Sequence, residues 1–295
     1  MGLDPQNSIL LPCERTNRPE SDHKAICRVS STSTILVSSQ SPISMALIRR
    51  LLCSSLPRNH SARTFGADAG NPGTGERLRN SMGERATWDT FYSRSFPNDS
   101  LHFDWFFGYD FLRGFLLSLI GDIAPKVFVG TPLHVVDVGC GTSDLGLCLY
   151  RDSPIPIMVS CIDRSEPAVL AMRERLKKGH PVIPQHPDSH LEYIQGDATD
   201  LSTFPSTSVS LVLDKGTSDA LLRSSRLEAC NMVKESLRIL QPTGKLVQLT
   251  DEDPDARLPF LEKAGAGPTV TPHELGEKNG VLYYAYIVTP LPCSA

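Results

Sequence analysis

The chain has 295 residues, 40% hydrophobic and 21% charged, enough apolar material for one large core or two small ones, and no run approaches the roughly 20 apolar residues of a membrane-spanning helix. The net charge of −4 is unevenly divided: residues 1 to 65 carry eight Lys/Arg against four acids, so the remainder is clearly acidic, and an acidic body gains nothing from counterion release on a phosphate backbone, which argues against nucleic acid as a partner. The eight cysteines include no CxxC pair and the eight histidines are dispersed, so neither a metal site nor a disulfide framework is expected, and a reducing compartment is.

From Met45 the chain reads MALIRRLLCSSLPRNHSARTFGADAG, with four arginines and no acid before Asp68. On a helix Leu47, Leu51 and Leu52 share one side and Arg49 and Arg50 lie off it, the make-up of a mitochondrial presequence, which predicts a matrix address. Residues 1 to 44 contain Glu14, Glu20 and Asp22 and show no period; they read as an upstream extension, with Met45 as the usual start. Residues 66 to 83, GADAGNPGTGERLRNSMG, read as a flexible linker. The folded domain is therefore expected over residues 84 to 290.

The segment FDWFFGYD (103 to 110) is dense in aromatics, and Phe103 and Phe107 are expected in the core. Apolar runs then alternate with helix-like segments. LHVVDVG (133 to 139), IPIMVSCID (155 to 163), HLEYIQGD (190 to 197), SVSLVLDKG (208 to 216) and GKLVQLTDED (244 to 253) each end in Gly or Asp. Between them, EPAVLAMRERLKK (166 to 178) and RLEACNMVKESLRIL (226 to 240) repeat apolar residues at three and four. Ser165 fits a helix N-cap and Gly179 a helix stop. This rhythm predicts an α/β fold with a mostly parallel sheet and helices on both faces. The tail VLYYAYIVTP follows GEKNG without a helix between, so the last of seven strands should return antiparallel beside its predecessor.

Ligands of such sheets sit at the carboxyl ends of the strands, and Asp137, Asp163, Asp197, Asp214 and Asp251 all stand at run ends. One such acid is usually a helix cap; five at successive ends predict a shared rim. In VVDVGCGTSDLG, Gly139 and Gly141 let the backbone turn and approach a ligand without a Cβ clash. The string GCGTSD places Asp144 where a dinucleotide fingerprint has its third glycine, and Asp137 would repel a pyrophosphate. A cationic ligand fits better, and S-adenosylmethionine carries both an ammonium and a sulfonium. Asp163, twenty-two residues beyond Gly141, is placed to accept from ribose hydroxyls, and Asp197 from an adenine amino group.

DVGCGTS followed in order by CIDRS, QGDA and LDKGTSDAL resembles the class I seven-strand (Rossmann-like) methyltransferases. Together with FDWFFGYD and TDEDPDARLPFLE, DKGTSDA narrows this to a resemblance to the protein-lysine methyltransferases of mitochondria that act on citrate synthase, covering about residues 86 to 289. The resemblance implies lysine N-methylation of citrate synthase with S-adenosylmethionine as cofactor and no metal. It also implies an N-terminal segment lying over the cofactor, where Trp105, Phe106 or Tyr109 would wall a lysine channel and hold a methylated ammonium by cation–π contact. Asp214 is the candidate to hold and deprotonate the target amine, or else it caps the turn it begins. Other readings are a methyltransferase for another mitochondrial protein or a small metabolite, and a methyltransferase-like assembly factor without activity.

Overall fold

Val135, Val136 and Val138 are all fully buried, as a parallel strand with helices on both faces requires. The computed structural model describes residues 81–95, 102–124, 131–179, 181–266 and 270–290, all within one compact unit. The leader and most of the linker read from the sequence lie outside these residues. In chain order the elements are α1 (Arg85–Ser95), α2 (Tyr109–Ile123), β1 (Leu133–Val138), α3 (Leu145–Asp152), β2 (Ile157–Asp163), α4 (Glu166–Lys178), β3 (His190–Gln195), β4 (Val209–Lys215), α5 (Thr217–Leu222), α6 (Arg226–Ile239), β5 (Leu240–Thr250), α7 (Pro254–Leu261), β6 (Val270–Lys278) and β7 (Val281–Val288).

The seven strands lie in the order β3-β2-β1-β4-β5-β7-β6. β1, β2, β3, β4 and β5 are parallel, whereas β7 runs antiparallel to both of its neighbours. The last two strands do form the expected hairpin. Lys278 pairs with Val281, and Asn279 and Gly280 at φ of 55° and 78° make the two-residue turn, the positive-φ combination that matches the twist of paired strands. β7 then enters the sheet between β5 and β6 instead of extending its edge, because its buried run Tyr283, Ala285, Tyr286 and Val288 needs cover on both sides.

Strand alternation divides the core into two. On one face Val135, Val159, Leu211 and Val247 pack with Leu112, Leu116 and Ile120 of α2. On the other, Val136, Val138, Val212 and Leu246 pack with Ala229, Met232 and Val233 of α6. Successive side chains point to opposite faces, so Asp137 shares the face of Val135 and Asp214 that of Val212.

The helix boundaries expected around 166 and 226 match α4 and α6 closely. Ser165 does hold the N-cap position of α4, but its hydroxyl accepts no capping bond; instead its own N–H donates to Asp163 Oδ1 at 2.8 Å. The carboxylate two residues back, at the end of β2, thus fixes the chain at the helix entry.

A buried guanidinium ties the ends of β4 and β5 together. Arg257 of α7 has no exposed surface; it donates to Ser218 Oγ at 3.1 Å, to Thr250 Oγ1 at 3.0 Å and to Asp219, and its Nε lies 3.0 Å from Glu252. Removing it strands the Asp219 carboxylate. Arg257→Leu should therefore lower unfolding free energy by about 3–5 kcal/mol, the scale for breaking a buried ion pair from one side, measured by urea titration.

Candidate functional site

At the end of β1 the chain turns through Gly139 and Gly141, at φ of 67° and 53°, a region that L side chains rarely occupy. A Cβ on Gly139 would overlap Thr217 Oγ1 and one on Gly141 the Tyr92 hydroxyl. The glycine at 139 therefore leaves room for Thr217 of the protein, where the sequence reading had reserved space for a ligand. Thr217 Oγ1 in turn donates to Val138 O at 2.8 Å, locking the β1 turn against the turn that follows β4.

Beside these turns opens a cleft of about 850 Å³, solvent space included, lined by Asp137, Gly139, Gly141, Asp163 and Asp197 among others. Asp137 is 2% exposed, and its Oδ2 has no hydrogen-bond partner. Burial pushes its carboxyl up to about 7, against the pull of nearby Lys215. A buried carboxylate with an unfilled acceptor site at the floor of a cleft suits a cation. Asp163 accepts from Gly141 N and Ser165 N, each at 2.8 Å, which leaves one acceptor position on each oxygen. Burial raises its carboxyl while those two N–H donors lower it. Asp197 stands two residues past the end of β3, exposed at the cleft, with Oδ1 held by Thr199 N and Oγ1.

The rim of five acids is thus reduced. Asp251 is not among the residues lining the cleft, and neither is Asp214. Asp214 has no exposed surface; Oδ1 accepts from Thr217 N at 2.9 Å and Ser218 N at 3.1 Å, and Oδ2 from Gln248 Nε2 at 2.8 Å. Burial, with the Asp219 charge behind it, raises its carboxyl to about 6. These bonds are those of the capping alternative: Asp214 holds the start of α5 from the opposite face of the sheet, outside the cleft lining.

The aromatic expectations divide as well. Trp105 lines the cleft, and Cδ1 of its indole would stand 2.6 Å from a Cβ on Gly216, so the ring rests on the turn after β4. Phe106 and Tyr109, at 8% and 4% exposure, belong instead to the core around α2 and Tyr283. Phe107 is core as expected, but Phe103 lines the cleft.

Sequence reasoning missed the roof. Trp88 and Tyr92 of α1 also line the cleft; their rings stack at 5.8 Å, and Trp88 meets Trp105 edge-on at 6.3 Å. Arg164, next to Asp163, donates to Gly83 O and joins the N-terminal segment to the β2 end. The signal was present as Trp88, Phe91 and Tyr92 at helical spacing, an apolar face whose partner the sequence did not reveal.

A family described as "Methyltransferase domain" matches residues 135–244. The mitochondrial citrate synthase-lysine N-methyltransferase of Homo sapiens is 41% identical over 221 residues, covering 74% of this chain and 90% of the human protein. The Danio rerio protein of the same description is 39% identical, covering 71% and 84% of the two chains. A Bos taurus protein described as EEF1A lysine methyltransferase 4 is 27% identical over 68% of this chain and 73% of its own.

Two predictions separate the acids. Asp214→Asn keeps an acceptor for the Thr217 and Ser218 N–H groups and should leave turnover within a few-fold of the parent, whereas Asp214→Leu orphans these two donors and Gln248 Nε2 and should cost about 3 kcal/mol or more of stability in thermal or chemical melts, at about 1–3 kcal/mol for each buried unsatisfied group.

For Asp137 the sign runs the other way from an ordinary ion pair. Its folded value lies above the roughly 3.9 of a free carboxyl, so the folded state holds an extra proton and stability falls as pH rises between about 4 and 7. A cation docked on Asp137 favours the ionised form, so S-adenosylmethionine should bind more tightly as pH rises to about 7 and no more tightly beyond it. Calorimetry in buffers of different ionisation enthalpy should detect up to about one proton released at pH 6, absent in Asp137→Asn.

Proposed function

The chain belongs to the citrate synthase-lysine N-methyltransferase family, and we propose that it methylates a lysine of citrate synthase using S-adenosylmethionine. Bound in the cleft, S-adenosylmethionine supplies an electrophilic methyl group on a cationic sulfur. The observation that carries this reading is the pair of carboxylates on one sheet face: Asp137, buried with an unfilled oxygen, and Asp163, with spare acceptor capacity, on either side of the Gly139–Gly141 turn. The first matches an ammonium and the second a ribose diol, with Asp197 at the outer end within the same cleft.

A lysine amine with a pKa near 10.4 is almost wholly protonated at neutral pH. Phe103, Trp105, Ala220 and Leu221 give the cleft an apolar side, and desolvation there lowers an amine's pKa by units, enough for the proton to leave to water before the amine reacts. Trp105 presents a ring to the resulting methylated ammonium. Asp214 acts at one remove, by fixing Thr217 and Ser218 and through them the floor of that wall. Residues 84 to 290 form the catalytic domain in this proposal, and the Arg-rich leader beginning at Met45 takes it to the mitochondrial matrix, in keeping with the mitochondrial relatives.

Purified chain, methyl-labelled S-adenosylmethionine and citrate synthase should yield label in citrate synthase on a single lysine-containing peptide by mass spectrometry. Label confined to small molecules or to other proteins of a mitochondrial extract would reject the assignment.

A further inference from the structure

Asp104, which the cofactor and substrate assignments above do not use, has an unusual position. It lies in the segment joining α1 to α2, and its side chain is 10% exposed. Oδ1 accepts from Lys215 Nζ at 2.9 Å and from Ser143 Oγ at 2.5 Å, and Oδ2 lies 2.8 Å from His102 Nε2. Those contacts come from the end of β4, the turn after β1 and the segment itself. Burial pushes the Asp104 carboxyl up, but His102, Lys215 and Ser143 together hold it well below the usual carboxylate range. His102 also lies 3.2 Å from Asp144, which is paired with Arg175 at 2.5 Å.

The residues next to Asp104 in sequence are the cleft's aromatic wall. Phe103 N donates to Thr142 Oγ1 at 3.2 Å, and Trp105 O accepts from the same Lys215 Nζ at 2.9 Å. Phe106 follows at φ of 68°, a conformation that a bulky residue adopts only when its surroundings enforce it. One carboxylate thus holds the segment down at both loops while Trp105 rests on Gly216. Lys215, 5% exposed along its side chain, would lose the carboxylate it is bonded to if Asp104 lost its charge.

We propose that Asp104 is a positioning residue for methyl transfer: its charge, through Lys215 and Ser143, sets Trp105 and Phe103 at the place where the target amine enters, and it governs use of the protein substrate more than binding of the cofactor. The proposal rests on the lysine-methylation reading above.

Asp104→Asn keeps the shape and removes the charge. Its kcat/KM for the protein substrate should fall about 10- to 100-fold, the range for misplacing a positioning group by about an ångström, while its Kd for S-adenosylmethionine stays within about threefold. A second readout needs no turnover. The chain has two tryptophans, so Trp88→Phe leaves Trp105 as sole reporter, and acrylamide should quench it several-fold more readily once Asp104→Asn is added. Lys215→Met should reproduce the loss in kcat/KM, and Asp104→Asn/Lys215→Met should be no worse than either single change. Asp104→Glu, which keeps the charge, should recover part of the activity and of the shielding, and it carries the test if Asp104→Asn does not fold. Unchanged Trp105 quenching with parental kcat/KM in Asp104→Asn, multiplicative losses in the double variant, or Asp104→Glu no better than Asp104→Asn would overturn the proposal. If the parent chain modifies no lysine of citrate synthase, the functional reading fails by itself, and the quenching arm still decides whether Asp104 holds the wall.

Discussion

Gly139 lies against the Thr217 hydroxyl with no room for a side chain between them, and that hydroxyl bonds the carbonyl of Val138. This contact joins the turn after β1 to the turn after β4 at adjacent carboxyl ends of the sheet. Through it the cleft acquires a rigid floor. Asp163 steadies the neighbouring turn by accepting the Gly141 N–H, and Asp214 steadies α5 by accepting from Thr217 and Ser218. Two acids are thereby committed to backbone donors, and the ligand-facing chemistry depends on where the remaining acceptors point.

The electrostatics then favour a positive ligand. Asp137 is buried, its Oδ2 lacks a partner, and desolvation leaves its carboxyl titrating near neutrality. Lys215, a cation that acts on it, is drawn to Asp104 and the Trp105 carbonyl, so it offsets Asp137 without satisfying it. A pyrophosphate would meet this carboxylate unfavourably, whereas an ammonium completes it. Phe103, Trp105, Trp88 and Tyr92 line the same space, and the lower local polarity beside their rings strengthens each of these charge effects.

The two halves of the cleft have different origins in the chain. Its floor comes from β-strand ends and tight turns, whose Gly and Asp residues have few alternative uses. Its roof comes from α1 and the aromatic segment after it, held by Asp104, by Arg164 on Gly83 O and by edge-on ring contacts. Aromatic residues serve equally well in a core and in a wall, which is why Phe106 and Tyr109 were expected in the cleft and Phe103 in the core.

The alternation of strands and helices, the antiparallel return of the last strand after GEKNG and the acids flanking the glycine turn followed from the sequence alone, because hydrophobic period, turn glycines and strand-end carboxylates are local signals. Which acids face the ligand did not. Parity along a strand tells which residues share its face, but only inter-strand register relates one strand to the next. The sheet pairs Asp137 with Cys161, two residues before Asp163, and pairs Asp214 with Val138. Asp137 and Asp163 therefore emerge on one face, and Asp214 on the other, beneath α5. Likewise, the insertion of β7 between β5 and β6, the burial of Arg257 and the attachment of Asp104 to Lys215 join residues far apart in the chain, and only the packed tertiary structure brings those charges within bonding distance.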